Sequence, residues 1–167
     1  MDTTVSRSPP CPRPSASLTP GPSSPISEIK TVFGGSKAYY QPSTDTVHMP
    51  PFENFRDAAA FYGVWLHEFG HGTGAKHRLN RDLTARFRSA AYAFEEISVE
   101  ILSGFVLADL GVAHHPLPDH ATYIASWLEI LKNDPRAIFT AASEANRPPT
   151  GCKAGSGRSF IGCHVRT

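Results

Sequence analysis

Apolar residues recur at intervals of three and four from Asn54 to about Thr73, with Phe55, Ala59, Tyr62, Leu66 and Phe69 along one side, and this predicts an amphipathic helix. Gly72 and Gly74 supply its stop, and a polar, basic connection follows to about Ser89. The next stretch, AYAFEEISVEILSGFVLADLG at 91–111, is apolar on nearly every face and closes on Gly111, the pattern of a buried helix. A further amphipathic helix opens at Asp119 or His120 and carries Tyr123, Ile124, Trp127, Leu128 and Leu131. Asp134 followed by Pro135 is an N-cap and first-turn pair for a last helix reaching about Ala145. Upstream, SKAYYQPSTDTVHMPP at 36–51 reads as a β-hairpin, with Ala38, Tyr39 and Tyr40 on one arm, a Pro-Ser-Thr-Asp turn, and Thr46 to Met49 on the other. Pro50 and Pro51 end it.

Both ends of the chain lack this periodicity. Residues 1–26 are dominated by Pro and Ser, a composition that buries too little apolar area to offset chain entropy, and disorder is expected there. The tail at 147–167 turns to Pro, Gly, Arg and Cys and is likewise expected not to fold, which leaves one domain at 27–146. Sixteen basic and fifteen acidic residues bring the net charge to +1, so the chain lacks the global electrostatic footprint of a nucleic-acid binder. Cys11, Cys152 and Cys163 all lie in the flanks without paired metal-ligand spacing; they read as reduced, incidental thiols of a cytoplasmic protein. Prolines break the first thirty residues, and no apolar run approaches membrane-spanning length, so neither a signal peptide nor a membrane partner is expected.

Within the first predicted helix and just past it stands HEFGHGTGAKH, residues 67–77. His67 and His71 are one turn apart on one helix face, so both imidazoles can reach a single tetrahedral ion, while Glu68 lies beside that ion as a proton acceptor. A catalytic zinc needs a third protein ligand. Read literally, the string fits H-E-x-x-H-x-x-G-x-x-H and offers His77, with Gly74 free to take the positive φ that would turn the chain back. Against His77, the metzincin pattern also needs a methionine turn downstream, and this sequence has no methionine after Met49.

The competing donors are Glu95, Glu96 and Glu100 on the apolar helix. Buried carboxylates cost several kcal/mol each unless a positive group meets them, and a metal with its histidines does that. Glu96 and Glu100 share a face, so Glu96 is favoured as ligand and Glu100 as acceptor of a ligand histidine's free ring N–H. Glu95 points about a quarter turn away and is the weaker candidate. Tyr92 and His77 are the available oxyanion partners, although a tyrosine beside an apolar helix is more often core.

The blocks AYYQPSTDTVHMPPFENF, FYGVWLHEFGHGTG, RLNRDL, AYAFEEISVEI, ADLG and DHATYIASWLEILKNDPRAIFTAASEA together resemble the zincin-like metallopeptidase domain at the C-terminal end of antirestriction protein ArdC and of phage and plasmid polyvalent proteins. The resemblance spans residues 34 to about 146. It implies an α+β, zincin-like fold, mostly helical, with a small hairpin or antiparallel sheet packed on the H-E-x-x-H helix. It also implies a ligand from the E-E-x-x-x-E block, which supports Glu96, and it makes the metzincin string an accident, since the family more often has a small polar residue at the position of His77. ArdC-like proteins carry an N-terminal domain that binds single-stranded DNA; only a short Pro/Ser-rich segment precedes the matching blocks here, and the chain is expected to be a truncated relative with out-of-frame or degenerate ends.

The function expected is that of a zinc peptidase: Zn²⁺ activates a water, Glu68 serves as general base and then acid, and the 36–49 hairpin offers a strand edge to a protein or peptide substrate. The alternative is a non-catalytic antirestriction module with structural zinc that binds DNA or a restriction enzyme. In that reading Lys76, Arg78, Arg81, Arg86 and Arg88 could meet phosphates, although a solvated loop is the plainer account of them.

Overall fold

The computed structural model describes residues 29–85, 89–112 and 120–147, with the side chains of residues 120–124 and 126 excepted. Of the segments expected to be without order, all of 1–26 and all of 147–167 but Arg147 lie outside the described residues, as do Arg86, Arg88 and the three cysteines.

Among the described residues, three strands and four α-helices follow in the order β1 (Lys30–Phe33), β2 (Tyr39–Gln41), β3 (Thr46–Met49), α1 (Ala58–Thr73), α2 (Ala90–Asp109), α3 (His120–Asn133) and α4 (Ala137–Ala145). The hairpin forms as its alternation predicts: β2 and β3 pair antiparallel with Tyr40 opposite Val47, and Asp45 closes the turn at φ 50°. The pattern did not predict β1. It pairs parallel with β3, Thr31 opposite Val47, so the sheet is mixed, with order β1-β3-β2 and β2 at one edge. β1 buries little of itself; its anchor is the preceding Ile29.

α1 begins four residues later than the apolar spacing predicts. Phe52–Asn54 forms a 3-10 turn, Phe55 is extended, and Asp57 takes the N-cap by accepting the Ala60 N–H at 2.8 Å. The helix is the middle layer of the fold. Phe61 and Phe69 pack with Ile29, Val47 and Met49 beneath the sheet, and its other side meets α2. α2 opens on Ser89, whose hydroxyl accepts the Tyr92 N–H, and runs antiparallel to α1: Glu95 faces His71, Glu100 faces His67, and the Ser103 hydroxyl donates to the Gly63 carbonyl. α4 lies on the far side of α2 through Ala137, Ala141 and Ala145, all buried; its N-cap is Arg136, without a side-chain cap hydrogen bond, two residues past the expected Asp134, whose carboxylate accepts the Arg136 N–H in the turn before the helix.

The layers come close because of glycines. A Cβ on Gly70 would sit 2.9 Å from Val99 Cβ on α2, and one on Gly72 would sit 2.8 Å from Ile29 Cδ1. Gly74 ends α1 without the positive φ that its type allows: its φ is −73°. What requires glycine there is room, since a Cβ would lie 2.9 Å from Leu83 Cδ2 and 3.1 Å from Arg81 Nη2.

Candidate metal centre

The antiparallel pairing of α1 and α2 brings together residues that the sequence holds a loop apart. His67, His71 and Glu96 each offer one ligand atom, and these atoms lie within 4.8 Å of one another. Glu96 spans the pair, with Oε2 3.3 Å from His67 Nε2 and Oε1 3.7 Å from His71 Nε2. Two ligands at roughly 2.0–2.1 Å from a tetrahedral ion stand about 3.4 Å apart, so the spacing suits a small divalent metal.

The ring nitrogens on the other side are also held. His67 donates from Nδ1 to Glu100 Oε2 at 3.2 Å, and His71 from Nδ1 to Glu95 Oε1 at 3.2 Å. A carboxylate can only accept here, so each contact leaves Nε2 as the nitrogen that faces the shared space. With both imidazoles neutral, the three carboxylates of Glu95, Glu96 and Glu100 against one guanidinium, Arg81, leave two negative charges among these residues, and Glu68, whose carboxylate also acts on His67, adds a third, a field that favours a divalent cation. Burial pushes the His67 imidazole down, but the carboxylates of Glu100 and Glu96 outweigh it and leave the group raised to about 10. Burial likewise pushes Glu95 and Glu96 up, yet their histidine partners hold both below the usual carboxylate range, assisted by Arg81 at Glu95 and by the Tyr92 hydroxyl at Glu96.

Glu68 stands on the sheet side of His67. Its Oε2 accepts the backbone N–H of Tyr40, on edge strand β2, at 3.0 Å. No signal in the sequence marked this contact, because a main-chain donor carries no residue type.

His77 is not among the grouped ligands. Its side chain is 57% exposed, and Nε2 lies 3.5 Å from Asp45 Oδ2, in a cluster at the hairpin turn. Asp45 is the hub there: Arg78 reaches both its oxygens at 2.8 and 2.6 Å and also donates to the Gly72 carbonyl, while the Tyr40 hydroxyl donates to Asp45 at 2.7 Å. Burial, followed by the Asp45 carboxylate, pushes the Tyr40 phenol up to about 12.

The basic connection therefore differs from a solvated loop. Lys76 and His77 are exposed, but Arg78 and Arg81 turn inward onto Asp45 and Glu95. Glu95, set aside by its helical angle, is thus committed to His71 and Arg81. The signal that could have found Arg81 is charge: three acidic residues on an apolar helix exceed what one divalent ion neutralises.

The sequence profile of a zincin-like metallopeptidase family matches residues 25–144. The uncharacterised protein y4eC of Sinorhizobium fredii (strain NBRC 101917 / NGR234) is 64% identical over 114 residues, which cover 68% of this chain and 37% of y4eC. DNA primase TraC of Escherichia coli is 44% identical over 111 residues, covering 66% of this chain and 10% of TraC. Among solved structures, the Mn(II)-bound antirestriction protein ArdC of plasmid R388 matches with a TM-score of 0.65 at 39% identity, covering 72% of this chain and 45% of ArdC. Its metal-free form gives 0.63 at 40% identity over 72% of this chain and 43% of that one. The matched region is thus less than half the length of each of these relatives. A fold of this kind implies a metal, and the described residues include no helix long and apolar enough to cross a membrane.

Proposed function

The chain belongs to the zincin-like metallopeptidase family, and from that premise we propose that it hydrolyses peptide bonds with a metal held by His67, His71 and Glu96, the metal being zinc. The observation that carries the reading is the donor set itself: two Nε2 atoms and one carboxylate within 4.8 Å, with both outward nitrogens already held by Glu100 and Glu95. Two imidazoles and one glutamate with a fourth position open form the donor set of catalytic zinc. Manganese, bound in the R388 relative, is suited by carboxylate, carbonyl and water oxygens, whereas imidazole donors suit zinc.

When bound, the metal supplies a Lewis acid that polarises the scissile carbonyl and makes water acidic enough to attack near neutral pH. Glu68 takes the proton of the attacking water and returns it to the leaving amine. The Tyr40 N–H fixes one of its two oxygens and so limits the directions from which the other can act. An extended protein or peptide substrate pairing with the β2 edge would lie beside that carboxylate.

The test is Glu68→Gln in the purified chain. It should retain about one metal per chain and lose hydrolysis by on the order of 10²–10⁴-fold. Hydrolysis at the wild-type rate would remove Glu68 from the mechanism.

A binding role is the second reading, favoured by the antirestriction protein among the matching structures. There the domain would occupy DNA or a restriction enzyme with its metal only structural. The loop read as a phosphate contact is poorly placed for it, since Arg78 and Arg81 are spent on internal carboxylates. Protection from restriction that survives Glu68→Gln would favour binding over catalysis.

A further inference from the structure

Two glutamates stand side by side at 95 and 96, both buried and both within reach of a histidine of the centre, and something must decide which of them meets the metal. We propose that Arg81 is the positioning residue that makes this choice: it clamps Glu95 as the hydrogen-bond acceptor of His71, holds it off the metal, and leaves Glu96 as the ligand. This rests on the metal-centre reading above.

The clamp is a built feature. Arg81 grips Glu95 with both ends of its fork, Nε to Oε2 at 2.7 Å and Nη2 to Oε1 at 3.0 Å, while its side chain is only 10% exposed. The same guanidinium donates to the Gly70 carbonyl at 2.7 Å and to Thr73 Oγ1 at 3.1 Å, both on α1 near His71. Arg81 therefore joins the helix carrying the histidines to the helix carrying the glutamates.

The local chain is shaped to return it there. Asn80 takes φ 51°, a left-handed conformation that asparagine tolerates better than most residues, and turns the backbone immediately before Arg81. The Arg81 N–H then donates to the Gly74 carbonyl at 2.9 Å, and Gly74 lacks the Cβ that would crowd Nη2.

The chemistry needs this. A lone carboxylate on a ligating histidine can rotate or swing in as a ligand itself. A planar fork that engages both oxygens fixes its plane, keeps it ionised and leaves its second lone-pair direction for His71 Nδ1–H. His71 is then held with Nε2 toward the metal.

Titration with Co²⁺, followed by visible absorption, tests this on the purified full chain. Arg81→Met should weaken Co²⁺ binding by about 10–100-fold and alter the band shape. Arg81→Lys should recover part of the loss, because it restores the charge without the fork. Glu95→Gln keeps a partner for His71 and leaves the contacts of Arg81 with α1 in place; it should weaken binding at least tenfold, and adding Arg81→Met to it should weaken binding little further. Should Arg81→Met fail to fold, Glu95→Gln alone carries the test. Wild-type affinity and spectrum in either single variant, or losses that add fully in the double, overturn the proposal. A wild-type chain that takes up no Co²⁺ would overturn the metal centre and the clamp with it, whereas a wild type that binds no better than its variants overturns the clamp alone.

Discussion

Asp45 shows how a single turn residue can commit several others. Its two oxygens receive the Arg78 fork and the Tyr40 hydroxyl, and His77 stands at its side. The Arg78 guanidinium, the largest influence, holds the Asp45 carboxyl below the usual carboxylate range. A depressed folded value means that stability is fully present above the unfolded pKa, about 3.9, and is lost as pH falls through the lower folded value. Asp45→Asn should destabilise the chain by about 2–3 kcal/mol, below the 3–5 kcal/mol of a fully buried pair because Asp45 stays 31% exposed while Arg78 is 1% exposed. In urea unfolding, the gap between wild type and variant should be constant at pH 6–7 and shrink below about pH 4; a gap that widens on acidification would contradict the assignment. This cluster also explains why the literal three-histidine string misleads. The spacing of His77 is correct for a ligand, but its environment is set by a hairpin turn far upstream, which no local pattern reveals.

At the scale of elements, periodicity was a sound guide where burial is one-sided and a poor one elsewhere. The hairpin and four helices were legible because their apolar positions recur with periods of two or near 3.6. β1 was not: only four residues long and mostly exposed, it forms because β3 has an edge to fill, a property of the partner strand. The start of α1 was misplaced because Phe55 continues the apolar spacing although Asp57 takes the cap. The α1–α2 contact, on which the shared donor set depends, rests on Gly70. Gly70→Ala would place a methyl 2.9 Å from Val99 Cβ and 3.2 Å from its Cγ1. Neither atom is the far end of a flexible chain, so the helices must separate, and the loss should be about 1–3 kcal/mol despite the better helix propensity of alanine. A urea midpoint at or above that of wild type would show that α2 yields without cost.

For the molecule as a whole, the grouped donors link distant parts of the chain: His67 and His71 come from the middle layer and Glu96 from the helix beyond it. A metal that binds only this folded arrangement should act as a staple. At a free concentration a hundred times its Kd it should add about 2.7 kcal/mol, raising Tm by on the order of 10 °C, and a chelator should reverse the gain in calorimetry. An unchanged Tm on metal addition would mean that the three donors do not act together. The acidic half of this centre was legible as a demand, since buried Glu96 and Glu95 had to be neutralised. What met the demand was legible only in part: the histidines by their spacing, but Arg81 only after the loop had been seen to fold back. The helix that carries His67 and His71 holds Gly63, Gly70 and Gly72 within its sixteen residues, each worth about 1 kcal/mol against alanine in an isolated helix. The H-E-x-x-H segment is therefore not a portable cassette. Cut out as a peptide it would be mostly coil, and copied with alanines at Gly70 and Gly72 it would make a sturdier rod that keeps its neighbours, and with them Glu96, at a distance.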